Sequence, residues 1–261
     1  MTAAETPPRR GVELRQRYTT ADVGILTEAE ARRFLPDGSG DPRTDVELAW
    51  ELLYRLEPAL YDRLVTAERL HPGVLEWLPT DVERVVEVGA GSGRLTLELI
   101  DRARELVAIE PAAPLRELLA EKLSRAEHGD RAHVMPGFFD ELPVDDGSAD
   151  LVIACSAFTP SAGHGGDVGL EEMERVCRPG GWVVIVWPNH LEWLTNRGYR
   201  YVSFPGEMFV EFASHDEAVE LTEIFHPAAV EEVRRRGLRA VPYEALEMNP
   251  PRDLAYRAMP A

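Results

Sequence analysis

The hydrophobic pattern changes character near residue 82. Before that point apolar residues recur at helical spacing: Val46, Leu48, Leu52, Leu53, Leu56, Leu60 and Leu64 share roughly one face of a helical stretch over 44–67. Pro58 is expected to kink or divide that stretch. Thr27 is placed as the N-cap of a further helix, and Val74, Leu75, Trp77 and Leu78 as a short apolar one. Residues 1 to about 17 are polar, contain Pro7 and Pro8, and are expected to form a mobile tail; Asp37 to Pro42 reads as a loop. From Val82 onward, strand and helix alternate. Strands are predicted at 84–89, 106–110, 132–135, 149–155 and 182–187, with helices at 93–103, 114–127 and 170–176. Arg178-Pro179-Gly180-Gly181 reads as a tight turn. Such alternation predicts an α/β fold with an open, mostly parallel sheet and helices on both faces.

Residues 188–213 break the alternation and hold Trp193, Tyr199, Tyr201, Phe204, Phe209 and Phe212. Ser214 and Glu217 then fit a capping box opening a helix through Phe225, and Gly237 fits the end of a second helix over 228–236. Residues 239–246 and 253–259 read as two final strands, expected to be antiparallel neighbours. The expected organisation is a tail and helical cap over 1–80, then a core over 81–261 with an aromatic-rich insertion at about 188–213.

Composition narrows the partners. The 261 residues carry 28 Lys and Arg against 46 Asp and Glu, a formal net charge of −18. That balance argues against a phosphate backbone and against anionic membrane surfaces. No stretch is long and apolar enough to span a membrane, and no secretory segment is read at the N-terminus. Two cysteines, Cys155 and Cys177, suggest no disulfide framework, so the expected compartment is a reducing cytoplasm.

The most informative stretch is Val85-Val86-Glu87-Val88-Gly89-Ala90-Gly91-Ser92-Gly93-Arg94-Leu95. A buried strand runs into a turn with glycine at every second position and then into a helix. Glycine accepts positive φ and allows close approach of a ligand, and bare amides at a helix start would favour a polar one. Dinucleotide sites share this pattern, but their third glycine falls one position later, where this chain has Arg94. Glu110 ends the second strand, 17 positions after Gly93, and a carboxylate there suits two ribose hydroxyls. Gly137-Phe138-Phe139-Asp140-Glu141-Leu142-Pro143, Ser148-Ala149-Asp150-Leu151-Val152 and Arg175-Val176-Cys177-Arg178-Pro179-Gly180-Gly181 follow in order. Taken together, residues 85–187 resemble the core of a class I S-adenosylmethionine-dependent methyltransferase of the small-molecule type.

The resemblance implies a three-layer Rossmann-like methyltransferase fold, with a seven-stranded, mostly parallel sheet and an antiparallel last strand. It implies S-adenosylmethionine as cofactor, held by Glu87, Gly89, Ala90, Gly91, Gly93, Glu110, Pro111, Phe138, Phe139 and Ser156. Glu87 would support the loop and, directly or through water, the cofactor ammonium. The chain departs from the family where Phe138 replaces an aspartate that commonly accepts the adenine amino group. Either Phe138 packs on the adenine face, or Asp140 accepts that bond after a local shift; both phenylalanines also fit as core residues.

The acceptor is expected at the carboxyl ends of the strands. His164 and His190 are candidate general bases, and each also reads as a solvated loop histidine. The strand ends offer Cys155-Ser156 and Pro188-Asn189, a poor metal site, so no metal is expected. The aromatic run could wall an apolar or aromatic small-molecule acceptor, form ordinary packing, or make a homodimer contact. The expected function is O-, N- or C-methylation of a small molecule. The alternatives are a methyltransferase-fold protein that binds the cofactor without transfer, and a nicotinamide dehydrogenase, which Arg94 disfavours.

Overall fold

The computed structural model describes residues 12–35, 38 and 40–261. The chain divides into two compact units: the described residues up to Arg69 with Gly206–Pro250, and Leu70–Pro205 with Pro251–Ala261. The segment 206–250 thus groups with the N-terminal helices rather than with the sheet. Helices α1 (Val12–Arg17), α2 (Glu28–Phe34), α3 (Val46–Leu56) and α4 (Pro58–Ala67) lie in the first unit, and α5 (Pro72–Trp77) in the second. The second unit continues with β1 (Val82–Val88), α6 (Thr96–Leu99), β2 (Ala103–Ile109), α7 (Ala113–Leu123), β3 (Ala132–Met135), β4 (Ala149–Cys155), α8 (Gly166–Val176), β5 (Cys177–Val186), α9 (Leu191–Thr195) and β6 (Arg200–Ser203). The chain returns to the first unit with β7 (Phe209–Glu211), α10 (His215–Phe225), α11 (Val230–Arg236) and β8 (Ala240–Pro242), and closes the second with β9 (Asp253–Ala258).

Among the described residues the sheet of the second unit has seven strands in the order β3-β2-β1-β4-β5-β9-β6. Strands β1 to β5 run parallel, and β9 is antiparallel to both β5 and β6. The order reverses between β1 and β4, which in open α/β sheets opens a crevice beyond the carboxyl ends of the strands. Registers Val88↔Ile109 and Glu87↔Ile153 bring the ends of β1, β2 and β4 close to level. Val86, Val88, Val152, Ala154, Val183 and Ile185 alternate onto one face, where Leu170, Met173 and Val176 of α8 cover them.

The first unit is held by helix packing and one buried charge network. Pro58 divides the 44–67 stretch into α3 and α4, as its missing N–H requires. Trp50 of α3 stacks on Phe225 of α10 with ring centroids 5.6 Å apart. Arg55 donates to Glu30 Oε1 at 2.7 Å and to Glu51 Oε2 at 2.6 Å, with all three side chains buried. Burial pushes the Glu30 carboxyl up, but the bonds from Arg55 and Thr27 outweigh it and leave its pKa below the ordinary value. Glu30 closes the capping box with Thr27 as well.

Several sequence expectations need correction. The tail expected over 1–17 is a helix from residue 12, because Leu14 and Tyr18 stand four apart and are both buried; residues 1–11 lie outside the described residues, as do 37 and 39 of the expected loop. The helix expected over 93–103 is only Thr96–Leu99, since β2 already starts at Ala103. The turn expected at 178–181 is the irregular start of β5, with a register shift against β4 and Gly180 at φ +74°. A Cβ on Gly181 would stand 2.8 Å from the Asp150 carbonyl oxygen, so glycine is required there. The two final strands are not neighbours: β8 pairs with β7, and β9 inserts between β5 and β6. Pro242 lacks a donor and the next residues coil into a single 3-10 turn, which ends β8 after three residues. The segment 188–213, expected as an aromatic-rich insertion that breaks the alternation, contains α9, β6 and β7.

Replacing Arg55 with Ala strands two buried carboxylates. The expected outcome is a loss of roughly 3–5 kcal/mol in denaturant unfolding, against little change for Arg32→Ala, whose ion pair with Glu28 is exposed.

Candidate cofactor site

The run Val85-Val86-Glu87-Val88 forms the end of β1, and the chain turns at Gly89 to Gly93 before α6. Gly89, Gly91 and Gly93 adopt φ of +73°, +57° and +100°. A Cβ on Gly93 would stand 2.7 Å from Leu119 Cδ1 of α7, so the turn is pressed against that helix.

The amides of this turn are engaged, contrary to the expectation of bare donors. Gly89 N and Ala90 N donate to Ile109 O at 2.9 and 3.0 Å, and Gly93 N donates to Ala90 O at 3.0 Å. Gly91 N donates to Glu110 Oε2 at 2.9 Å. A pyrophosphate site needs such amides aimed at the ligand and a helix behind them. Here α6 is four residues long and four of the amides already have acceptors. The turn suits a ligand that is met by carboxylates.

Two buried carboxylates supply that character. Glu110, 5% exposed at the end of β2, also accepts from Ala112 N at 2.8 Å through Oε1. It therefore ties the turn to the entry of α7, and a carboxylate with two such bonds retains further acceptor capacity. Arg116 of α7 donates to the carbonyls of Glu110 and Pro111 at 2.7 and 2.6 Å and fixes that corner. Glu87 is 1% exposed, and its Oε2 meets no hydrogen-bond partner. Burial pushes its pKa up to about 8; the Thr96 hydroxyl pulls it back and the Glu110 carboxylate adds to the rise. Ser92 Oγ and Thr96 Oγ1 are likewise buried and unpartnered. Lys122, the one lysine in the chain, donates to Ser92 O at 3.0 Å.

The segment after β3 splits into two roles. The Phe139 ring packs 4.7 Å from that of Phe158 and would stand 3.2 Å from a Cβ on Gly89, so Phe139 supports the turn from within the core. Phe138 forms an isolated antiparallel bridge with Glu141 and is half-buried. Arg175 of α8 binds the Leu142 and Val144 carbonyls, and Glu172 accepts from Leu142 N, which pins the chain beyond these phenylalanines. Arg178 and the Arg84 amide share Asp150, so the motifs around 148–152 and 175–181 act structurally.

Beyond β4 and β5, Ser156 and Trp187 adopt φ of +53° and +52°, strained for residues that carry a Cβ. Asn189 Nδ2 makes a long 3.4 Å bond to Ser156 Oγ. The Arg94 guanidinium lies over the buried Trp187 ring at 5.1 Å, which links the glycine turn to the end of β5. His164 lies half-buried in a 3-10 turn before α8, and His190 is exposed ahead of α9 with no capping bond from its side chain. Among the described residues no three His, Cys, Asp or Glu side chains gather as a metal site.

The structure thus brings Glu87, Gly89, Ala90, Gly91, Gly93, Glu110 and Pro111 into one corner, with Phe139 beneath Gly89. The aromatic run does not form a single wall. Trp193 donates to Asp167 and Tyr201 to Asp253, Phe204 stacks on His71, and Tyr199 and Phe212 are buried. Ser92, Thr96, Arg116 and Lys122 were not singled out as site residues from the sequence. The signal for Ser92 and Thr96 was present, as small polar side chains within the glycine turn and at the start of the helix that follows it.

Residues 86–185 match the model of a methyltransferase domain family. An uncharacterized methyltransferase of Mycobacterium tuberculosis is 32% identical over 133 residues, covering 49% of this chain and 50% of its own length. One from Geobacillus kaustophilus is 34% identical over 100 residues, covering 38% of this chain and 44% of its own. The chain thus spans about half the length of the relatives it matches. Among solved structures, a chain from the Haloferax volcanii complex of the Trm112 methyltransferase activator with a methyltransferase superposes with a TM-score of 0.50 at 19% identity. That match covers 81% of this chain and 96% of the other, and it is a likeness of fold. No helix among the described residues is long and apolar enough to cross a membrane. Over residues 86–185, from within β1 to near the end of β5, the chain is thus similar to a methyltransferase domain family.

Proposed function

We propose that this chain holds S-adenosylmethionine on the Gly89–Gly93 turn and transfers its methyl group to an oxygen, nitrogen or carbon atom of a small molecule in a reducing cytoplasm. The observation that carries the reading is the pairing of a glycine turn whose Gly89, Ala90, Gly91 and Gly93 amides are engaged with two buried carboxylates, Glu87 and Glu110. A cofactor with a cationic amino acid part and a ribose diol, and without phosphate, fits that donor and acceptor set. When bound it supplies an electrophilic sulfonium methyl group.

The roles follow from acceptor capacity. Glu110, fixed by Gly91 N and Ala112 N, accepts from the ribose hydroxyls through its remaining lone pairs. Gly89, Ala90, Gly91 and Gly93 let the ligand lie on the backbone, and Pro111 lines its ribose edge. Phe138 packs on the adenine face in place of an accepting aspartate. Ser156 and Trp187, with strained backbones at adjacent strand ends, border the path to the acceptor. Catalysis by positioning needs the nucleophile held in line with the methyl, and a base only where the nucleophile carries a proton to lose. His164 and His190 remain the candidates for that base. A second reading, cofactor binding without transfer, draws support from Phe138 and from the exposed, uncapped His190.

Calorimetric titration is expected to show micromolar binding of S-adenosylmethionine, lost in Gly91→Arg; no binding to the wild type contradicts the proposal. Glu110→Ala is expected to weaken binding on the order of ten- to hundredfold, the equivalent of a charge-assisted hydrogen bond. Gly93→Ala, strained at φ +100° and crowded by Leu119, is expected to cost roughly 1–3 kcal/mol in unfolding free energy. Methylated product from an acceptor panel separates transfer from binding alone.

A further inference from the structure

Three polar side chains around the glycine turn carry a buried oxygen with no hydrogen-bond partner: Glu87 Oε2, Ser92 Oγ and Thr96 Oγ1. Glu87 and Ser92 are 1% exposed and Thr96 0%. Buried polar atoms are nearly always satisfied, so such a group points to a missing partner or to a charge that is absent. The surroundings of Glu87 oppose an ionised form. Its strand partners are Ala108 on β2 and Ile153 on β4, both apolar. The charged group that acts on it is Glu110, of the same sign, from the end of β2. From α7, Lys122 reaches the loop at the Ser92 carbonyl, and Arg94 is laid over Trp187. On α6, Thr96 presents a hydroxyl, and Glu98 is exposed.

We infer that Glu87 is a neutral acid in the free protein and releases its proton to solvent when the cationic cofactor settles on the turn, so that cofactor binding and proton release are linked. This rests on the reading of the turn as the S-adenosylmethionine site. The proton passes from the carboxyl group to water, and no other bond forms or breaks. The Thr96 hydroxyl, which already acts on the carboxyl group, is then a donor to the carboxylate.

The sign follows from burial. Burial is the main cause that raises the Glu87 pKa to about 8, above its ordinary 4.5. The free protein therefore holds more protons than the unfolded chain between these values, and its stability falls as pH rises from about 4.5 to 8. A bound cation favours the carboxylate, which lowers the pKa of the complex. Affinity accordingly rises with pH through the same window and levels off above it.

Titration calorimetry with S-adenosylmethionine, without acceptor, tests this at pH 6 and pH 7 in two buffers of different ionisation enthalpy. The expected result is close to one proton released per cofactor bound, with affinity rising up to about tenfold per pH unit. Glu87→Gln, which retains the neutral shape, is expected to bind without this release and with flat pH dependence. In the ligand-free proteins, thermal unfolding of the wild type is expected to lose ground against Glu87→Gln between pH 5 and 8. Wild-type binding with equal affinity at both pH values and the same heat in both buffers overturns the inference. Absence of binding at both pH values contradicts the cofactor reading itself, and the inference with it.

Discussion

The bond from the Gly91 amide to the Glu110 carboxylate is the constraint on which the site depends. Parallel pairing of β1 with β2 brings Val88 level with Ile109, so the residues after each strand meet. Glu110 then takes Gly91 N on one oxygen and Ala112 N on the other, while the Ile109 carbonyl takes Gly89 N and Ala90 N. The turn is closed upon the end of β2. Its shape is set by these bonds, and its chemistry is that of carboxylates rather than of amides. That is the physical difference between this turn and a phosphate-binding one of similar sequence.

Support for the turn comes from both sides. Leu119 of α7 presses on Gly93, and Phe139 reaches Gly89 from the core, backed by Phe158. Arg175 and Glu172 hold the segment beyond Phe139 through its own backbone. These arginine and glutamate contacts make two of the family's sequence motifs structural devices. They fix the segment that follows the phenylalanines. Strain gathers there too, at Ser156 and Trp187, where packing and the Arg94 guanidinium hold a backbone that neither residue would adopt alone.

Much of this was legible in the sequence, and the reasons are physical. Strands buried on both faces read as apolar runs, so β4 matched its expected limits and β1 nearly did; β3 matched as well, while β2 and β5 begin earlier than expected, at Ala103 and Cys177. The glycine spacing and Glu110 marked the candidate site because positive φ favours glycine and a carboxylate at a strand end is an acceptor. What escaped depends on partners distant in sequence. Whether an amide is bare cannot be read from a glycine; Ile109 and Glu110 decide it for the turn. Strands β6 and β7 are three to four residues long, and their pairing with β9 and β8 is set by segments some 30 to 55 residues away. The histidines stood out in the sequence as chemistry, whereas Thr96 and Ser92, ordinary as residue types, became notable only once their burial was known.

A crystal structure of the chain with S-adenosylhomocysteine tests the central claim most directly. The ribose hydroxyls are expected within hydrogen-bonding distance of the Glu110 carboxylate, with the bonds from Gly91 N and Ala112 N intact. A ligand bound elsewhere, or a ribose held away from Glu110 by freed amides of the turn, would contradict it.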